Sequence, residues 1–183
     1  MFFEKSGPVW ETLRELAKRL DGAGIPYVVI GGLALNVYNY PRQTIDVDVV
    51  VTGADYQRFS EQLAGSTYAR RPGAPRRFAD TRSEVTVDFL ITGELAGNRK
   101  KNRSIRFPDP AEAQIQQDLR TVSLPRLIEL KLVTWRYKDW GDVVELIRRN
   151  NLSESLAEEL DPTVRAAYLQ CYDQAHDQEY DAV

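Results

Sequence analysis

Thr44-Ile45-Asp46-Val47-Asp48-Val49-Val50-Val51 decides how this chain is read. Successive side chains of a strand point to opposite faces, so Ile45, Val47, Val49 and Val51 form an apolar face while Asp46 and Asp48 project from the other. Alternation puts the two Cβ atoms roughly 7 Å apart, close enough to share divalent cations and too close for both carboxylates to ionise without cost. An isolated Asp-Val-Asp is more often the solvated face of a sheet. Two further features favour a metal site. Gly31-Gly32 turns the chain after the apolar strand Pro26-Tyr27-Val28-Val29-Ile30, and a third aspartate stands in Val85-Thr86-Val87-Asp88-Phe89-Leu90-Ile91. There Val85, Val87, Phe89 and Ile91 make one face and Thr86, Asp88 and Leu90 the other.

Outward from these strands, residues 8–21 place Val9, Trp10, Leu13, Leu16, Ala17 and Leu20 on one helical stripe, ended by Asp21-Gly22-Ala23-Gly24. A brief helix from Leu33 to Tyr38 follows the glycine turn, and Asn39-Tyr40-Pro41 breaks it before the aspartate strand. Residues 54–64 form a helix with Tyr56, Phe59 and Leu63 inward. The Arg-, Pro- and Gly-rich run 69–83 reads as a loop or a ragged hairpin arm, and 93–106 as a basic loop, with strand fragments between Ile105 and Val122. Ser123 caps a helical segment with Pro125 in its first turn, whose apolar stripe runs to about Ile147 with a break near Asp139 to Gly141. An acidic helical tail, 153–178, packs through Leu156, Leu160, Val164, Ala167, Tyr168 and Cys171. The expectation is an α+β domain, a small mixed sheet flanked by helices with a helical C-terminal part. Residues 1–122 form its core and 123–183 pack on that core. The glycines do not make the G-x-G-x-x-G of a dinucleotide fold, which would also want one ribose-binding acid where this chain has two.

The chain of 183 residues is long enough to bury a core. Met1-Phe2-Phe3-Glu4-Lys5 carries no basic segment ahead of an apolar one, and no run of about 18 apolar residues occurs, so the sequence reads as cytoplasmic. One cysteine, Cys171, excludes an intrachain disulfide, and one histidine, His176, excludes a multi-histidine zinc site within one chain. Charge is segregated. Residues 70–106 hold ten Arg or Lys against four acids, whereas 153–183 hold eight acids against Arg165 alone. Such a basic block is either a polyanion-binding surface or a solvated face.

Lys131 falls among Leu127, Ile128, Leu130, Leu132 and Trp135, in an apolar stripe where a charge is costly unless paired. Either it meets an anion, or its stem packs on Trp135 with the ammonium in water. Thr44 lies on the face of the aspartates, and Arg42 either meets a phosphate or is a surface charge.

The ordered set Val29-Ile30-Gly31-Gly32-Leu33-Ala34-Leu35, Arg42-Gln43-Thr44-Ile45-Asp46-Val47-Asp48 and Val87-Asp88 resembles the polymerase β-like nucleotidyltransferase superfamily. Within it, the set looks most like the abortive-infection type of toxin nucleotidyltransferase, over about residues 25 to 150. The resemblance implies a polymerase β-like nucleotidyltransferase fold and magnesium-dependent transfer of a nucleoside monophosphate from an NTP to an acceptor. Asp46, Asp48 and Asp88 would be catalytic and would hold two Mg2+ ions, since paired cations roughly 3.5–4 Å apart stabilise both the attacking and the leaving oxygen. Asp88 could also take the nucleophile's proton. Gly31 and Gly32 would let the backbone approach the triphosphate, with Arg42 and Thr44 beside it.

Leu127-Ile128-Glu129-Leu130-Lys131-Leu132, followed by Arg136-Tyr137-Lys138-Asp139 and Asp142-Val143, looks like the C-terminal motif of those toxins. By that match Lys131 binds triphosphate oxygens and Asp139, with Asp142 the alternative, orients the nucleotide or the lysine. Residues 70–106 flank the Asp88 strand and would steer an RNA such as a tRNA end. The resemblance also leaves a protein acceptor, an antitoxin partner, an antibiotic acceptor, or an idle module that binds RNA or a partner protein.

Overall fold

A computed structural model gives the fold and describes residues 6–65 and 67–177, so Met1 to Lys5 and the Gln178 end of the expected tail helix lie outside the described residues. Helix α1 is Pro8–Gly22, entered through Pro8 in its first turn, and it buries Leu13, Leu16 and Leu20. Strand β1, Val28–Ile30, runs directly into α2, Gly31–Val37. Strand β2 is Asp46–Val51. The expected 54–64 helix is an α-helical α3, Gly53–Arg58, continued by a π-helical turn, Phe59–Leu63. Phe59 is fully buried among the rings of Tyr68, Phe78 and Phe89.

The arginine-rich run resolves as a hairpin of β3, Tyr68–Arg70, and β4, Arg77–Asp80, leading into β5, Thr86–Ile91. After the basic loop come the short β6, Gln114–Gln116, and β7, Leu119–Thr121. These strands make one mixed sheet in the order β3-β4-β5-β2-β1-β7-β6. Its centre is β2, antiparallel to β1 and parallel to β5.

The two faces of β2 have different cover. Val47, Val49 and Val51 are fully buried in a cluster with Leu13, Leu16 and Leu20 of α1 and with Phe59. Ile45 does not join them: it precedes the first strand residue and is 78% exposed, because the sheet that would cover it begins at Asp46. On the opposite face Val50 is buried in a second cluster with Val28, Ile30 and residues of the C-terminal helices. Those helices therefore cover the Val50 end of the acidic face and leave Asp46 and Asp48, both only partly buried, at its open end.

The C-terminal part consists of α4, Leu124–Leu132, α5, Tyr137–Asn150, a 3-10 turn, Glu154–Glu159, and α6, Arg165–His176. Ser123 stands at the N-cap position of α4, without a side-chain capping bond. The break lies at 133–136 rather than at Asp139 to Gly141, both of which are inside α5. Trp135 takes the left-handed conformation with φ 59°, which no continuing helix admits. The Val133 carbonyl meanwhile accepts from the Asn98 amide at 3.1 Å. Gly97 approaches so closely there that a Cβ would lie 2.6 Å from that oxygen. Helix α6 buries Ala167, Tyr168 and Cys171, and none of the described helices is long and apolar enough to cross a membrane.

Candidate active site

The parallel pairing of β2 with β5 sets Asp48 directly opposite Asp88, two residues along from the Asp46–Thr86 pair. All three carboxylates stand on the face left open by the C-terminal helices, and one oxygen from each lies within 4.8 Å of the others. The Thr44 hydroxyl donates to Asp46 at 2.9 Å, fixing its rotamer. The glycine turn sits against the acids. Gly31 has φ 69°, and a Cβ there would be 2.1 Å from Asp48 Oδ2; a Cβ on Gly32 would be 2.5 Å from Thr44 Oγ1. Only glycine satisfies both the conformation and the close approach at 31.

Burial, and then the charges of Asp46 and Asp88, push the Asp48 carboxyl up to about 7, with Lys131 and Arg77 acting in the opposite sense. Three crowded carboxylates converging on one point, all oxygen donors, suit a hard divalent cation such as magnesium.

A cleft of about 480 Å³ opens beside Asp48. Gly31, Lys131, Thr134, Arg136 and Asp139 line its polar side, and Ile30, Leu90, Phe107 and Leu130 its apolar side. Lys131 is buried and does not snorkel over Trp135, which leaves the helix in the left-handed turn. Its ammonium donates to Asp139 at 3.1 Å and to Asp142 at 2.8 Å, so both candidate acids hold it. Asp142 also accepts from Arg42 at 2.8 Å, which carries Arg42 to the lysine network. Asp139 accepts from the Thr134 hydroxyl at 2.6 Å and from Arg136 Nε at 2.5 Å. Burial alone would raise the Asp139 carboxyl, but the Lys131 charge and these donors outweigh it and hold it below its ordinary range.

No protein-family model matches the chain, and no curated protein matches its sequence. Among solved structures, the solution structure of the antibiotic-resistance factor ANT(2'')-Ia matches with a TM-score of 0.51 at 14% identity, over 93% of this chain and 96% of that one. The crystal structure of ANT(2'')-Ia in complex with adenylyl-2''-tobramycin gives 0.51 at 16% identity, over 88% and 97%. The chain has the nucleotidyltransferase fold. Because the match spans nearly the whole of both chains, it takes in the helical C-terminal part together with the sheet.

On this nucleotidyltransferase fold the basic block divides in two. In the hairpin arm Arg71, Arg76, Arg77 and Arg82 are paired with Glu84, Glu94, Asp88 and Asp80. Arg70 rests on Ser60 and on the Phe78 ring. In the second loop Arg99 reaches Glu94 at 3.5 Å, and among the described residues no salt bridge engages Lys100, Lys101, Arg103 or Arg106. That loop is built on Asn102, whose buried amide donates to the Ala96 and Ile105 carbonyls and accepts from the Ser104 and Ile105 amides. Its Lys101 lies 4.4 Å from the centre of the Trp135 ring. Trp135, Arg136, Tyr137 and Lys138 form an exposed ridge beside it. The sequence places Arg136 to Lys138 in the C-terminal motif and Arg77 in the basic block, but shows neither the exposed ridge nor the Arg77–Asp88 pair. The signal for the ridge is the run of two aromatics and two cations, of which the helical stripe takes only Trp135.

Proposed function

We propose that this protein is a magnesium-dependent nucleotidyltransferase that moves a nucleoside monophosphate from an NTP to an acceptor hydroxyl. The convergence of Asp46, Asp48 and Asp88 beside the glycine turn carries this reading. Asp46 and Asp48 would hold the magnesium, with Asp88 supplying a further oxygen. Bound there, magnesium lowers the cost of the negative charge that grows on the attacking and leaving oxygens. Asp88 accepts the proton of the attacking hydroxyl as its oxygen bonds to the α-phosphorus, and the bond to pyrophosphate breaks. An ammonium has three hydrogens, and Asp139 and Asp142 take two from Lys131, leaving one for a triphosphate oxygen in the cleft that it lines. Arg42 acts through Asp142 by holding the acid that holds the lysine. The apolar wall of Ile30, Leu90, Phe107 and Leu130 suits the base.

For the acceptor we favour RNA. Single-stranded nucleic acid is held by cations that follow its backbone and by aromatic faces on which its bases stack. Lys100, Lys101 and Arg103, with exposed Trp135 and Tyr137, offer both at the mouth of the cleft. A polycationic antibiotic would meet like charges on that surface, although the fold shared with ANT(2'')-Ia keeps the drug-modifying reading as the second one. A toxin role with an antitoxin partner rests on the sequence resemblance, and an antitoxin-like gene found beside this one would support it. A cytoplasmic setting suits an NTP-consuming enzyme whose one cysteine is buried and free.

The test incubates the protein with magnesium, each labelled NTP, and total RNA or aminoglycosides, alongside an Asp46→Ala/Asp48→Ala variant. Label should pass to RNA with release of pyrophosphate, and the variant should lose roughly a thousandfold or more in rate, about 4 kcal/mol of transition-state stabilisation. Label passing to the drug instead would move the reading to the second acceptor. NTP binding with no transfer to either class would leave an idle binding module.

A further inference from the structure

Antiparallel pairing of β4 with β5 sets Arg77 directly opposite Asp88. The guanidinium takes both carboxylate oxygens in a fork, Nε to Oδ1 at 2.6 Å and Nη2 to Oδ2 at 2.8 Å. Asp88 is the one member of the acidic cluster closed off in this way. The Arg77 side chain is 54% exposed and the Asp88 side chain 19%, so the pair sits at the open rim of the site and the arginine can leave without disturbing the core. Resting on the metal-site reading above, we propose that Arg77 is a resident counter-ion of that site, which releases Asp88 when a divalent cation binds and is then free for the phosphates of the substrate.

Two physical arguments carry this. The fork engages both Asp88 oxygens, and a guanidinium and a divalent cation held on one carboxylate repel each other, so the two compete for its negative charge. Arg77 also lies in the field of Asp46 and Asp48, which favours its positive charge. Once those charges are neutralised, the attraction that keeps the arginine over the cluster is gone, and the nearest anions for a planar fork are phosphate oxygens. The guanidinium end of the pair faces solvent, where its attraction is screened and water can take over its hydrogen bonds, so it can be exchanged for a stronger ligand of Asp88. A second arginine, Arg76, points to the other side of the same strand end and is held by Glu94 through two bonds of 2.7 and 2.8 Å, so it is not available to take over the role.

The experiment measures Mn2+ binding to the nucleotide-free protein by calorimetry and by the loss of the free-ion electron-spin signal, in wild type, Arg77→Ala, Arg77→Gln and Asp88→Asn. Arg77→Ala and Arg77→Gln should bind Mn2+ about three- to tenfold more tightly than wild type, and Asp88→Asn more weakly. With magnesium saturating, the Arg77 variants should show a raised KM for the NTP. If wild type binds Mn2+ and both Arg77 variants bind it equally or more weakly, the arginine is a support that orients Asp88, and the inference fails while the function stands. If wild type does not bind Mn2+, the inference and the metal-site reading beneath it fail together.

Discussion

At the scale of single residues, the centre of the acidic cluster is the Asp48 carboxyl, crowded by two like charges and by the Gly31 backbone. In the unfolded chain it would titrate near 3.8, and in the folded protein near 7. Between those values the folded state holds a proton that the unfolded state has lost. This group therefore stabilises the metal-free protein fully below pH 4, and the contribution disappears as pH rises through about 7. Asp48→Asn removes that liability while keeping the shape. In thermal melts without metal, it should raise Tm by several degrees at pH 8 and leave it almost unchanged near pH 4. Magnesium should then raise the Tm of wild type at pH 8 but not that of Asp48→Asn. A variant that melts no higher than wild type at pH 8 would show that Asp48 is already paired.

At the scale of elements, the joint between α4 and α5 forms the side of the cleft proposed to take the nucleotide. Lys131 is the cation shared by two nearly inaccessible carboxylates, Asp139 at 1% and Asp142 at 3% side-chain exposure, each of which also meets one arginine, Arg136 and Arg42 respectively. Lys131→Met should lower the unfolding free energy in urea by about 3 kcal/mol, because two buried acids lose their shared cation and keep only the partly exposed Arg42 and Arg136. Adding Asp139→Asn and Asp142→Asn should recover much of that stability without recovering NTP affinity. Loss of affinity without loss of stability in Lys131→Met would place the lysine outside the fold's support.

The site acids, the glycine turn and the buried lysine were legible in the sequence because each depends on local spacing: two along a strand, four along a helix, or a glycine pair after an apolar run. The joint itself was not. Gly141 suggested a break, but a glycine inside a helix costs only about 1 kcal/mol and is tolerated. The true break depends on Gly97 and Asn98 docking on the Val133 carbonyl from a loop some thirty-five residues upstream. Likewise, nothing local says that Arg77 faces Asp88. Strand register decides it, and register follows from how the whole hairpin pairs.

At the scale of the whole molecule, a net charge of −3 conceals two basic regions of different kinds. Four arginines of the hairpin arm are neutralised by acids, whereas Lys100, Lys101 and Arg103 of the loop after β5 and Lys138 of the ridge are exposed and make no salt bridge among the described residues. Lys100→Ala/Lys101→Ala/Arg103→Ala should weaken RNA retention and lower the slope of log affinity against log salt by about 2, near 0.7 for each single-strand phosphate that is no longer neutralised. Arg70→Ala/Arg71→Ala/Arg82→Ala should leave the slope unchanged. Equal effects from the two triple variants would mean that RNA is held by diffuse charge alone. Counting residues along the chain treated 70–106 as one basic block, since composition registers charges and not the partners that strand pairing gives them.

Placing the acids on β2 and β5 also decides how the protein comes apart. Both strands are hydrogen-bonded on each side and lie mid-sheet, so the spacing of the three carboxylates belongs to the slowest-exchanging amides, which open only with global unfolding. The 99–103 loop, exposed except at Asn102, and the 135–138 ridge lie outside the ladder and should exchange faster. The surfaces that would grip and release a substrate can open and close many times while the reacting centre stays assembled.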